Sequence, residues 1–470
     1  MYPKWCVLFV AILAASGGCR MSDQPPVASA RGTPLVEREA GAVIAGCGAP
    51  ETPGIAEPAG VITLRDALVL ALSRNPELGT YPYEFRAADA RAQQAGLSPN
   101  PELEIEIEEF AGSGDRSGFD AAETTIRIGQ PIELGGKRAK RTRVAQLAGQ
   151  LTRWDYESAR LDVAREATQA FVTVLAAQER VALFEKLVDL SRKAQSAVAQ
   201  RVEAGRDSPV DGLRASVALS TSRIELQKAE KAFVGARRGL AAVWGGRVAV
   251  FEKVSGNLYE LSPPAPPEDS AGAISANPDV GRWETHERRQ RAVLHLEKAN
   301  AVPDLTIGGG IQRFEETDDS AIVLGLLLPI PLFDRNQGGV REAVAELAKT
   351  RRQSEAAQVR TLAALSKAVS TLAAAYEEVA ILRDDVLPNA EQAFAAVQDG
   401  YRQGKFDYLY VLDTQRTLFE TQAGYIDAVE VYHRAQADVR RLVGAPPTGM
   451  NDDLSAVALN SFSRETPNEE

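Results

Sequence analysis

The sequence predicts a mainly α-helical protein in which long antiparallel helical hairpins are joined to β-strands, four per chain, that seal a membrane barrel only when several copies come together. Three observations predict it. The chain is a tandem duplication, each unit carries a helical pattern of about 65 residues, and each unit carries two strands of about ten residues, near the length that crosses a bilayer.

The duplication is read from matching motifs. "RNPEL" at 74–78 answers "ANPDV" at 276–280, and "PNPELEIEI" answers "AVPDLTIGG", with Pro76 to Pro278 and Pro101 to Pro303 both offset by 202. "QPIELGGKR" from Gln130 answers "LPIPLFDRNQGG" from Leu328, and Gly205 to Gly245 and Gly404 to Gly444 are both separated by 40 residues. The first repeat is placed at 61–250 and the second at 273–445, with a Pro-rich linker at 251–272 and a disordered, polar tail at 446–470.

The chain opens on "MYPKWCVLFVAILAASGGCR", one Lys4, an apolar run from Trp5 to Ala15 and small residues ending at Cys19. This is an export signal over 1–18, too short for a membrane span. Its end is similar to a lipoprotein signal, although Ser16 stands where Leu is usual. Cys19 is therefore expected to carry lipid, at the head of a flexible tether over 19–60. Cys6 leaves with the signal and only Cys47 remains besides Cys19, so no intrachain disulfide framework is available.

In each repeat a short helix precedes two strands. The strands fall at 101–110 with 122–132, and at 303–313 with 320–330. Four strands cannot close a barrel, whose practical minimum is about eight, and open edges are not tolerated in lipid. A cyclic assembly removes the edges, and three copies give twelve strands. In "NPELEIEIEEF" (100–110) Leu103, Ile105 and Ile107 would then face lipid, while Glu104, Glu106 and Glu108 line the lumen.

The first rod starts after Gly136 and runs to about Glu203, with Val144, Leu147, Leu151, Trp154, Leu161, Ala164, Phe171 and Leu175 largely in steps of three and four. That is coiled-coil-like packing, and at 1.5 Å per residue the rod spans roughly 100 Å. The second rod, from about Val340 to Gln403, contains Pro388 and is expected to bend or break there. Gly205 and Gly404 suit the turns at the far ends, with Ser208 and Asp407 placed to cap the returning helices and Pro209 at a first helical position.

Composition narrows the function. A net charge of −11 over 470 residues argues against nucleic acid as a partner. His286, His295 and His433 read as scattered surface residues without metal-ligand spacing, "LGGKR" lacks the phosphate-loop pattern, and no catalytic arrangement stands out. Neither an enzyme nor a cofactor or metal site is expected.

The duplicated plan, the paired strands and the turns "RVEAGRDSPVDGLRA" and "YRQGKFDYLYVLDTQRTL" resemble the TolC-type outer membrane efflux protein family over about residues 60–445. "NPELEIEIEEFAGSGDRSGFDAAETTIRIGQPIELGGKR" and "LPIPLFDRNQGGVREA" are most similar to its CzcC-like, cobalt-zinc-cadmium branch. The resemblance implies a homotrimer with a twelve-stranded barrel in outer membrane lipid and a helical tunnel in the periplasm, a periplasmic adaptor protein, and a proton-driven inner membrane pump. It implies adaptor docking at Val202, Gly205, Ser208, Tyr401, Gly404 and Asp407. It further implies a periplasmic gate at Asp413, with Tyr410 standing where a second aspartate is usual. Export of drugs or polypeptides is the alternative in this fold. An exported soluble coiled-coil scaffold is the alternative outside it.

Overall fold

The computed structural model describes residues 57–264 and 274–445. The export signal, Cys19, almost all of the tether, residues 265–273 and the tail from 446 lie outside the described residues.

The first described strand, β1 (Gly60–Thr63), runs into α1 (Leu64–Arg74), where Thr63 Oγ accepts from the Asp66 amide and the Asp66 carboxylate accepts from the Thr63 amide, a reciprocal cap. Pro76 then stops the helix, and α2 (Tyr81–Ala95) follows a 3₁₀ turn. The single short helix expected here is therefore two. Asn75 explains the Asn-Pro motif. Its side-chain amide donates to the Val243 carbonyl at 2.7 Å, while its oxygen accepts from the Glu77 amide at 2.9 Å. Asn277 repeats this, donating to the Leu442 carbonyl at 2.7 Å and accepting from the Asp279 amide at 2.7 Å. In both repeats one side-chain amide, half-buried at Asn75 and buried at Asn277, ends the returning helix and starts the next segment.

Strands β2 (Glu102–Glu108) and β3 (Glu123–Ile132) lead into α3 (Lys137–Glu203), an unbroken helix of 67 residues. It reverses at Gly205 into α4 (Pro209–Val243). The second repeat gives α5 (Pro278–Asn300), β5 (Leu305–Phe314), β6 (Asp319–Leu327), α6 (Gln337–Ile381), a π turn at Leu382–Val386, α7 (Leu387–Arg402) and α8 (Tyr408–Leu442). The last strand stops three residues short of the expected 330, since Pro329 and Pro331 have no amide to donate. At Pro388 the rod is neither cut nor sharply ended. The preceding turn widens so that the Leu387 amide reaches back to the Leu382 carbonyl, which makes room for a residue without a donor.

The segment expected to be linker opens with structure. Strand β4 (Phe251–Ser255), between the first repeat and the Pro-rich stretch, pairs in parallel with β1 and buries Phe251 and Val254. Beyond it Leu258 is buried, Tyr259 stacks on Tyr425, and the Ser262 amide donates to the Tyr432 hydroxyl. The alternation of apolar and polar residues in "FEKVS" is the signal for a half-buried strand, and the proline-rich stretch beyond it obscured it. Here lies the largest core, where Phe171, Trp244, Leu240 and Phe251 join α1, mid-α3 and the end of α4.

The four long strands form one antiparallel sheet, in the order β2-β3-β5-β6, with β2 and β6 at free edges. Because β6 descends while β2 ascends, β6 of one copy would meet β2 of a neighbouring copy in antiparallel fashion, as closure of the expected barrel requires.

Candidate functional site

Two regions carry the residues of interest, the hairpin ends and the two faces of the sheet. At the ends, Gly205 and Gly404 adopt φ of +68° and +74°, which lets each helix stop without steric cost. The same two positions close both turns by different chemistry. In the first turn Arg201 grips Asp207 through two hydrogen bonds of 2.9 Å. In the second, 199 residues on, Gly400 and Phe406 occupy these positions, and the Phe406 ring lies where any Gly400 side chain would be. Ser208 caps α4, accepting from the Val210 amide, but Asp407 makes no capping hydrogen bond although it holds the cap position.

One tie joins the two hairpins at this end. The Tyr401 hydroxyl donates to Asp207 at 2.5 Å, and the Arg201 guanidinium sits 4.6 Å from the Tyr401 ring centre. The hydrogen bonds from Arg201 hold the Asp207 carboxyl below its ordinary value of 3.8, and burial raises the Tyr401 phenol. Tyr401 packs with Val198, Ala215, Tyr408 and Val411, with Val202 at the margin. Of the six tip residues, Gly205, Ser208, Gly404 and Asp407 are exposed, whereas Val202 is half-buried and Tyr401 is buried. Arg201 and Asp207 were missed in the sequence, where the only signal was an arginine and an aspartate flanking a glycine turn.

Tyr410 is exposed and touches Phe406, its ring centre 5.7 Å away. Asp413 is also exposed and pairs with Arg416 at 2.9 Å. Asp413 lines an apolar groove of about 850 Å³ between α4 and α8, walled by Leu213, Val217, Leu409 and Leu412. From the groove onward, polar ties run between α3 and α8. Gln415 donates to Ser191, Arg180 pairs with Asp427 and Glu430, Arg165 with Asp438, and Arg441 with Asp162.

The sheet has two chemically opposite faces. Register places Leu103 beside Ile128, Ile105 beside Ile126, Ile126 beside Ile311 and Ile311 beside Ile322, all on one face, and Ile322 is 82% exposed. The other face carries Glu102, Glu104, Glu106, Glu108 and Glu123, with Glu104 opposite Arg127. Arg127 lies 3.1 Å from Glu104 and 3.4 Å from Glu106. An apolar surface this large and this exposed belongs against lipid or a partner.

His433 corrects the expectation of surface histidines. It is 3% exposed, with Nε2 2.7 Å from the Leu258 carbonyl, and burial holds its imidazole below 6.5. Among the described residues no group of three potential metal-ligating side chains converges, and no helix is long and apolar enough to cross a membrane.

A model of the outer membrane efflux protein family matches residues 67–246 and 271–445. The cobalt-zinc-cadmium resistance protein CzcC of Cupriavidus metallidurans is 33% identical over 388 residues, covering 83% of this chain and 91% of its own. The nickel-cobalt-cadmium resistance protein NccC of Alcaligenes xylosoxydans is 26% identical over 313 residues, covering 67% of this chain and 70% of its own. Among solved structures, the outer membrane protein VceC of Vibrio cholerae aligns with a TM-score of 0.67 at 17% identity, covering 82% of this chain and 97% of that one.

Proposed function

The chain belongs to the outer membrane efflux protein family, and from that premise we propose that it is the exit duct of a tripartite system that expels heavy-metal cations of the cobalt, zinc and cadmium class. Family channels work as trimers with adaptor proteins and inner membrane pumps, in the outer membrane and reaching into the periplasm. The observation that carries the metal reading is the 33% identity to CzcC across nearly its whole length.

Three copies of the sheet would turn the leucine and isoleucine face to lipid and the glutamate face to a water-filled lumen. Such a lumen biases towards cations but discriminates poorly among them, since charges more than about 10 Å apart are screened at 0.1 M salt. Metal choice would then rest with the pump, and the duct performs no bond chemistry. The exposed tip residues Gly205, Ser208, Gly404 and Asp407 would meet the adaptor, with Tyr401 and Val202 holding the turns beneath them. Tyr410 and Asp413 would constrict the periplasmic entrance, Asp413 as a ring of three carboxylates near the axis. Cys19 would add a lipid anchor.

Deletion of the gene, followed by growth on zinc, cobalt, cadmium, copper and a panel of dyes, tests the reading. Hypersensitivity to zinc, cobalt or cadmium with unchanged dye tolerance is expected. Sensitivity confined to the dyes would move the cargo to drugs, and recovery of the protein in the soluble periplasmic extract would end the duct reading.

A further inference from the structure

The carboxylate face of the sheet carries a single cation. Six acidic residues share it, Glu102, Glu104, Glu106, Glu108, Glu123 and Asp319, and Arg127 is the one basic residue whose register puts it among them. Arg127 does not project from the wall. Its stem runs over the glycines of β5 and β6, since a Cβ on Gly308 would lie 3.4 Å from its Cδ and one on Gly325 would lie 3.5 Å from its Nη1. A side chain on Gly310 would collide with the Ile126 carbonyl and the Arg127 backbone. Glycine weakens a strand, so three of them beneath one side chain call for a close-approach explanation. The result is an arginine whose side chain is 27% exposed, under two carboxylates that are 60% and 47% exposed.

Glutamates at alternate positions of one strand sit roughly 6.7 Å apart on the same face, and carboxylates so placed can hold a hydrated divalent cation between them. A duct for divalent cations must avoid this, because conduction needs binding weak enough to release. We propose that Arg127 is an internal counter-ion that occupies Glu104 and Glu106 and so stops the middle of the exit barrel from retaining its divalent cargo. The proposal rests on the duct reading and on the glutamate face being luminal.

The test is single-channel recording of the purified trimer in planar bilayers, with Co²⁺ added to a KCl solution. In Arg127→Gln the Co²⁺ concentration for half-block should fall about tenfold, a change of about 1.4 kcal/mol. Arg127→Met, with a similar unbranched stem, is the second neutral variant should Gln disturb assembly. Adding Glu104→Gln and Glu106→Gln to the neutral variant should abolish the gained block. Half-block unchanged within twofold in both neutral variants, or a gained block that survives removal of the two glutamates, would overturn the proposal. A separate arm examines its foundation. In inserted trimers a water-soluble thiol reagent should label Glu106→Cys and spare Ile105→Cys. Labelling as expected with unchanged block refutes the role of Arg127 alone, whereas labelling of position 105 in place of 106 removes the luminal reading as well.

Discussion

Replacing Tyr401 by Phe removes one hydrogen bond and little else. The ring keeps its place 4.6 Å from Arg201 and 5.8 Å from the Tyr408 ring, so packing and the cation–π contact survive. What goes is the 2.5 Å bond to Asp207, whose side chain is 9% exposed and which Arg201 still holds. A hydrogen bond to a charged group contributes about 1.5–3 kcal/mol net, and each 1.4 kcal/mol is about tenfold in an equilibrium. Because the bond runs between the repeats, this energy separates joined from splayed hairpin ends, and their ratio should shift roughly 10- to 100-fold. Hydrogen–deuterium exchange of the trimer should therefore quicken at residues 198–212 and 397–412 and stay unchanged in the sheet and the waist. A cycle with Asp207→Ala should be non-additive by about 1 kcal/mol or more. Unchanged exchange at both ends, or strict additivity, would refute the tie.

The other predictions concern the scaffold. Asn75→Ala and Asn277→Ala each orphan a helix-end carbonyl and a cap, and each should cost about 1–3 kcal/mol, read as a lowered melting temperature of similar size in the two variants. Gly310→Val should leave secretion intact and abolish sheet formation and trimer recovery, because its side chain has no room beside Ile126. Gly404→Pro should weaken adaptor co-purification with the barrel still inserted, since Pro fixes φ near −65° where the turn needs +74°; undiminished metal resistance would count against docking at this end. His433, held neutral by burial below its ordinary 6.5, contributes stability that is complete above 6.5 and lost as pH falls through its lowered value. Melting temperature should thus fall on acidification from neutral, and the slope should flatten in His433→Gln. Asp207, also depressed, follows the same sign at lower pH, with its contribution complete above 3.8 and lost as pH falls through its lowered value.

The long periods were legible and the short contacts were not. Steps of three and four from Val144 to Leu175 announced α3, and alternation in "ELEIEIE" announced β2, because each pattern is repeated enough to outweigh any single residue. Strand β4 has only five residues and adjoins a proline-rich run, so local composition hid it. His433 looked exposed because its partner, the Leu258 carbonyl, lies 175 positions away and is backbone. No one-dimensional pattern marks such a pair. Tyr401 was singled out for its place beside a turn, but it is buried against Val198 and Ala215 and its hydroxyl bonds Asp207, all residues of the other repeat.

The duplication makes these departures informative. Two hairpins that descend from one unit should be built alike, and they are not. The first rod is 67 residues without a break, and its turn is clamped by Arg201 and Asp207. The second carries a π turn and Pro388, and its turn is closed by a ring on a glycine, a contact without the directional strength of an ion pair. Greater compliance is therefore expected in the second hairpin. That hairpin is held to the first by apolar packing, with Phe419, Ile426 and Val429 entering the waist core, and by polar contacts running from Asp162 with Arg441, through Arg180 with Glu430, to Asp207 of the first turn with Tyr401 at the far end. Exchanging one such polar contact for water costs about 1.5–3 kcal/mol, less than exposing the many apolar side chains of the waist core. The waist around Phe171 and Trp244 holds both kinds of contact, since Asp162 with Arg441 and Arg180 with Glu430 flank Phe171 along α3, so parting of the hairpins is expected to cost least at the far ends, where Asp207 with Tyr401 overlies only a small apolar cluster.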